Sequence, residues 1–430
     1  MQKSLDQKLA NIHADPHGAR DFILADAKDA DMAFGIAAPG KSPETHASEA
    51  RAKTLAEYRQ QIRQIAGQGL VDIVLMSAHT SAHLTIQERL FDHSHVTPAA
   101  RANDATEVFA VRGGYYATVP SRPFRSASLD HLQCGHLDCT PQERTLGVNL
   151  GLYSVTFNNR LEDDMRTLNE YHAFREEAER VGFRHFLEVF DPNDPHGLDP
   201  RRVPGFVNDH IARGLAGVAP AGRPVFLKIV YHGPKSMEEL VTYDPHLVVG
   251  VLGGSSGTTY DAFKLLAEAK KYGARAALFG RKINNSECQL AFVNFLRLIA
   301  DGEISPEEAV PAYHAVLGKL GIRPWRALEE DTQLTSQVMN YAGSSASVPA
   351  GVPVSASSGS TSEAKPSQQS KKKDCGCGCG GVNPQACPTN SDAKSPWPVL
   401  DNGQPDFASM TQQQKLKWNQ QQRDKLYGRF

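Results

Sequence analysis

Eight short apolar runs, spaced by segments of helical periodicity or irregular loops, constrain this 430-residue chain more than any other feature. The runs are Phe22–Asp26, Leu70–Met76, Ala105–Val111, Thr145–Phe157, Arg184–Phe190, Val225–Tyr231, His246–Leu252 and Ala274–Phe279. Amphipathic stretches lie between them at Ser48–Gly67, Leu161–Val181, Phe206–Leu215 and Tyr260–Tyr272, and two more, Glu287–Ala300 and Pro306–Leu320, follow the last run. Strands that are apolar throughout are buried on both faces, and their alternation with helices is the pattern of a parallel sheet covered by helices. Eight such units close into a (β/α)8 TIM barrel. A doubly wound open sheet would carry its glycine-rich phosphate loop after the first strand. Here the glycines of Gly253-Gly-Ser-Ser-Gly257 follow the seventh, so a barrel is predicted.

The barrel pattern occupies residues 1–341. From Ala342 the composition shifts to Gly, Ser, Ala and Pro, which predicts a linker over 342–373 that cannot bury a core. A Cys-Gly cluster and a Gln-rich tail fill 374–430, where Met410–Phe430 reads as a short helix that either docks on a protein partner or simply frays. Formal net charge is -2, so no global field favours nucleic acid or an anionic membrane. No apolar run reaches membrane-spanning length, and the N-terminus lacks a signal peptide's apolar core. The seven cysteines are odd in number and clustered late, which does not point to an oxidised framework. A soluble, cytoplasmic protein is expected.

The sixth run carries the chemistry. Val225-Phe-Leu-Lys228-Ile-Val-Tyr231 is apolar and β-branched, yet a lysine stands in its middle. An ammonium there costs several kcal/mol unless it is paired or has lost its proton. The same burial prepares an amine to attack a carbonyl and form a Schiff base. Along the fifth run Phe186, Glu188 and Phe190 share one face, and Leu187 and Val189 the other. The face with the carboxylate belongs in the barrel mouth, so Glu188 and Lys228 come from neighbouring strands within proton-transfer reach. Asp26, ending the first run, is expected to close the ring. The bland alternatives are a charge partner for Glu188 and a helix cap for Asp26. After the seventh and eighth runs come Gly253-Gly254-Ser255 and Gly280-Arg281, where barrels commonly bind phosphate.

These residues also carry a resemblance. The Lys228 strand, the Gly-Gly-Ser loop and Phe279-Gly-Arg281-Lys-Ile resemble the class I (Schiff-base) aldolases of bacterial and archaeal type, over roughly Asp21–Leu320. That superfamily includes the fructose-bisphosphate, tagatose-bisphosphate and deoxyribose-phosphate aldolases. The resemblance implies a metal-independent carbon–carbon lyase of carbohydrate metabolism that needs no cofactor. It implies that Lys228 forms the imine, and that Gly254, Ser255, Gly280 and Arg281 hold a phosphate or sulfonate, with Gly253 in the same loop. The partners then expected are a sugar phosphate and further copies of the chain. Two features depart from the family: Asp26 is followed by Ala-Lys-Asp where many members have His-Gly, and Gly113–Gln142 is an irregular insertion. These departures, with the long tail, keep a second reading in view: a non-catalytic barrel that acts as a scaffold and recruits a partner or metal through its tail.

Other clusters are weaker. His79 and His83 have the spacing of two metal ligands on a helix, without an evident third. His131, Cys134, His136 and Cys139 offer four soft donors within a short span, although not at a zinc-finger spacing. Cys375, Cys377, Cys379 and Cys387 alternate with glycine in part, which lets thiolates converge on a soft metal or serve redox chemistry.

Overall fold

The computed structural model describes residues 1–40, 52–109, 111, 113–254, 257–335, 396–399, 406, 409–411, 413–415 and 417–418. The chain divides into two compact units, Met1–Val354 and Ser355–Phe430. In the second, residues 413–415 and 417–418 are helical. The expected linker and Cys375, Cys377, Cys379 and Cys387 lie outside the described residues.

The first unit is a closed barrel. Its strands are β1 (Ile23–Lys28), β2 (Ile73–Met76), β3 (Thr97–Arg101), β4 (Leu150–Thr156), β5 (Arg184–Phe190), β6 (Leu227–Ile229), β7 (Val249–Leu252) and β8 (Ala276–Phe279). Each pairs in parallel with its sequence neighbours, and β8 returns to β1 with Ile23 opposite Ala276. The third strand is not the predicted Ala105–Val111 but Thr97–Arg101. Its five residues include Pro98 and Arg101, so it does not read as apolar. Ala105 instead joins Asp104 in a short antiparallel pair with Pro123–Phe124, inside the segment between β3 and β4.

Alternation along the strands sorts the core. Ile23, Ala25, Ile73, Leu75, Ala99, Leu150, Leu152, Phe186, Phe226, Val248, Ala276 and Leu278 form the barrel interior. Helix α1 (Ser4–Ala14) closes its lower end with Leu5, Leu9 and Ile12. Phe186 and Phe226 stack at 4.5 Å beneath the charged residues of the mouth. The opposite strand faces join an outer core with the helices α2 (Leu55–Gln68), α3 (Leu161–Arg180), α4 (Val203–Ala216), α5 (Pro234–Tyr243), α6 (Thr259–Lys271), α7 (Gln289–Asp301) and α8 (Pro306–Lys319). Helix α2 shows the local logic. Thr54 and Glu57 cap it reciprocally, Tyr58, Ile62, Ile65 and Ala66 form its buried stripe, and Gly69 ends it at φ 69°. A third cluster of Ala33, Ala105, Val108, Phe190, Val230 and Leu252 roofs the upper end. Among the described residues no helix is long and apolar enough to cross a membrane.

Candidate active site

The upper end of the barrel places Lys228 of β6 directly opposite Glu188 of β5 in strand register. Their side chains meet at 2.6 Å between Nζ and Oε1, both essentially out of water. The other carboxylate oxygen, Oε2, accepts the Ser154 hydroxyl of β4 at 2.8 Å. Ser154 is itself fixed through its backbone, whose N–H reaches Asn103 Oδ1 at 2.6 Å while its carbonyl accepts the Asn103 amide at 2.8 Å. Three adjacent strands therefore orient one carboxylate so that Oε1 faces the amine.

Asp26 does not join this group. It shares its face of β1 with Phe22 and Leu24, which pack in the outer core, while Ala25 and Ala27 face inward. Its carboxylate meets Lys28 Nζ at 3.2 Å, both side chains fully buried. The Lys28 ammonium also donates to Asn284 and to Gln289 of α7, and lies 5.9 Å from the Tyr58 ring of α2. Burial pushes Asp26 up to about 6 and pulls the Lys28 amine down. This is a polar cluster between strand and helices, closed off from the mouth.

The carboxylate that does reach the mouth is Asp29, three residues later, at the start of the helical turn Ala30–Phe34. Asp29 lines one cleft together with Lys228, Gly253, Gly254, Gly280 and Arg281. Its Oδ2 accepts Arg101 Nη1 at 2.7 Å. Arg101, the fully buried cation at the end of β3, also donates to Ser154 Oγ at 3.3 Å and pairs with Asp104 at 3.4 Å. A chain of contacts thus runs from Asp29 through Arg101, Ser154 and Glu188 to Lys228. The signal for Asp29 in sequence is only the second acid of Asp26-Ala-Lys-Asp29. For Arg101 it is the one charge of a strand that does not read as a strand. Above this layer Glu107 accepts the hydroxyls of Ser121 and Thr156, and burial raises its carboxyl. On the loop after β6, His232 and Asp191 are bonded at 2.8 Å.

The expected anion loops converge in part. Arg281 lays its guanidinium over the Phe34 ring at 4.5 Å at the edge of the cleft. Gly254 stands beside it at φ 59°, and Ser255 lies outside the described residues. Space demands glycine at two of these positions: a Cβ on Gly253 would lie 2.1 Å from the Phe279 ring, and one on Gly280 2.5 Å from the Ala27 carbonyl. The start of α6 is not left open for a ligand. Thr258 and Asp261 cap it reciprocally, and Thr259 N–H donates to Asp331 at 2.7 Å. Lys282, brought down to about 8 by burial, holds the Gly257 carbonyl at 2.7 Å.

Cys134 and Cys139 are joined in a disulfide, so their sulfurs are not the thiolates that a zinc site with His131 and His136 requires. His83 is bonded to Gln87 and Glu88. Among the described residues no three His, Cys, Asp or Glu are grouped to hold a metal ion.

No family model matches the sequence, and no curated protein matches it. Among solved structures the chain is similar to an archaeal fructose 1,6-bisphosphate aldolase, at 14% identity over 69% of this chain and 99% of that one, with a TM-score of 0.48. It is similar also to a Schiff-base-forming fructose-1,6-bisphosphate aldolase, at 15% identity over 69% and 100%, TM-score 0.47. A protein of Corynebacterium glutamicum is similar at 16% identity over 71% and 99%, TM-score 0.44. With scores of this size, the barrel stands on its own strand pairings.

Proposed function

We propose that this chain is a Schiff-base-forming aldehyde-lyase, a class I aldolase, acting on a phosphorylated or similarly anionic carbonyl substrate. The observation that carries the reading is the Lys228–Glu188 pair: an amine and a carboxylate at 2.6 Å, buried at the upper end of a barrel and opening on a cleft that also holds an arginine. An ammonium cannot attack a carbonyl, and Glu188 Oε1 is placed to take its proton. The free amine then adds to the substrate carbonyl to give a carbinolamine. Return of the proton from Glu188 to the carbinolamine oxygen lets that oxygen leave as water and the iminium form. The iminium draws in the electron pair of the carbon–carbon bond one carbon away. The hydroxyl on the departing fragment loses its proton as that bond breaks, and an aldehyde leaves. Asp29, on the facing strand end and held by Arg101, is the carboxylate we assign to that second proton. Cleavage leaves an enamine on Lys228. Its carbon takes back the proton from Asp29 to restore the iminium, which water hydrolyses to release the second carbonyl product and regenerate the Lys228 amine. Arg281, with Gly254 and Gly280 beside it, grips the anionic end of the substrate.

Borohydride reduction in the presence of a panel of sugar phosphates tests this directly. Mass spectrometry is expected to find a stable adduct on Lys228. An adduct on Lys28, Lys53 or Lys282 would move the site. If no sugar phosphate yields an adduct but binding persists and depends on Arg281, the scaffold reading replaces the enzyme.

A further inference from the structure

The lower end of the barrel carries a groove of about 610 Å3, far from the Lys228 cleft along the strand direction. Four cations from separate elements line it: Lys3 ahead of α1, Arg144 in the loop before β4, Arg180 at the end of α3 and Arg184 at the start of β5. Asp6 is the one carboxylate among the lining residues.

Each guanidinium leans on a carboxylate, Arg144 on Asp130 at 2.7 Å, Arg180 on Glu176 at 2.7 Å and Arg184 on Asp6 at 2.6 Å. These contacts fix the side chains while consuming few of the five donors that each one carries. Among the described residues Arg144 is held through Nη1, by Asp130 and by Gln133 Oε1 at 2.6 Å. The Lys3 ammonium is set among the carbonyls of Phe91, Ser94 and Val96, so its charge faces dipoles. Thr97, 2% exposed at the start of β3, also lines the groove, and its hydroxyl finds no hydrogen-bond partner among the described residues. The wall bearing Arg144 is braced. Asp130, its anchor, also accepts the Asp138 N–H at 2.8 Å, within the turn that the Cys134–Cys139 disulfide closes. What results is a concave surface that carries three guanidiniums, each held in place by a carboxylate, shaped before any ligand arrives.

We propose that this groove is a second ligand site, for a compact polyanion bearing two or more phosphoryl or carboxylate groups, with Arg144, Arg180 and Arg184 as its grips. It lies at the end of a barrel that does not normally carry chemistry, so its occupant is an effector and not a substrate.

Calorimetric titration of the full chain with inorganic pyrophosphate and, separately, citrate tests it, in a buffer free of other polyanions. Saturable binding is expected that weakens with added salt, falls at least tenfold in Arg144→Gln, and is unchanged in Arg281→Ala. The stronger of the two probes tells whether phosphoryl or carboxylate groups are preferred. Arg180→Gln is the second variant, because that side chain is 71% exposed and the substitution is expected to leave the fold intact; it is expected to weaken binding several-fold. Absence of saturable binding by either probe overturns the proposal. So does binding that Arg281→Ala removes and both groove variants leave untouched, since the anion would then sit in the upper cleft.

Discussion

An ammonium and a carboxylate that face each other out of water hold their place only as a pair, because removing either strands the other. Lys228→Met is therefore expected to abolish the borohydride adduct and also to destabilise the fold by roughly 3–5 kcal/mol, as a buried Glu188 loses its counter-ion. Adding Glu188→Leu to that variant should recover most of the stability and none of the chemistry, which chemical denaturation and trapping read separately. The two aspartates of the first strand and its loop make a sharper comparison. Asp29→Asn is expected to leave imine formation on Lys228 intact while lowering carbon–carbon cleavage about 100-fold or more, the scale of one general acid–base group. Asp26→Asn is expected to move the melting temperature and to leave both steps alone; the reverse pattern would return Asp26 to the site. The parity that separates these residues is not legible along Phe22–Asp26, because both strand faces there are apolar up to the acid. It is legible along Arg184–Phe190, where Glu188 marks one face as different from that of Leu187 and Val189. Only packing opposite Phe186 and Phe226 decides that Ala25 and Ala27 turn inward.

At the scale of single elements, the strands that could be read are those dominated by apolar residues, even where one charge interrupts the run, as Glu188 and Lys228 do. β3 is hidden because it must carry Arg101 into the mouth and tolerates Pro98, while Val108 looks like a strand residue and serves as roof. Small residues matter as much as charged ones. Gly250 lies beside Lys228 in register, and a Cβ there would come within 2.6 Å of the Leu227 carbonyl and 2.8 Å of Ala276 Cβ. Gly250→Ala should therefore cost about 1–3 kcal/mol and slow trapping at Lys228, measured by urea midpoint and by adduct yield. On the other face of β5, His185 is buried against α3, bonded to the Tyr171 hydroxyl at 2.9 Å and edge-on to Phe174. Burial lowers it to about 3. The unfolded chain takes up this proton near pH 6.5 and the folded chain does not, so stability from His185 is complete above pH 6.5 and is lost as pH falls. The loss is roughly 2 kcal/mol by pH 5. Denaturation curves at pH 7.5 and 5.0 should show a smaller difference in His185→Gln than in the natural sequence. An unchanged difference would place the acid sensitivity elsewhere.

Over the whole molecule, the barrel pattern and the change of composition near Ala342 are both visible in sequence, since each is a property of long stretches and not of single contacts. The anchoring of residues 331–335 to the barrel is not visible, because it depends on a few polar contacts. Gln333 accepts the Thr258 hydroxyl at 2.7 Å through its carbonyl, and Thr335 N–H donates to Asp261 Oδ1 at 2.7 Å. With Asp331 on Thr259 N–H, this segment secures the start of α6, which follows the Gly253–Gly254 loop. Two truncations should therefore behave differently. A chain ending after Tyr341 keeps every one of these contacts, every barrel strand and each residue assigned to the cleft. Its melting temperature should stay within a few degrees and its trapping at Lys228 should be unchanged, while any metal held through Cys375, Cys377 and Cys379 is lost. A chain ending after Leu320 removes Asp331, Gln333 and Thr335, leaving Thr259 N–H without its carboxylate. The loss of such caps costs about 1–2 kcal/mol, and it loosens the loop that leads to the anion end of the cleft. That shorter chain should show a raised KM for a phosphorylated substrate with the Lys228 adduct still forming at saturation. If instead the cut after Tyr341 lowers kcat at an unchanged melting temperature, the tail takes part in turnover at the mouth and is not a separate appendage.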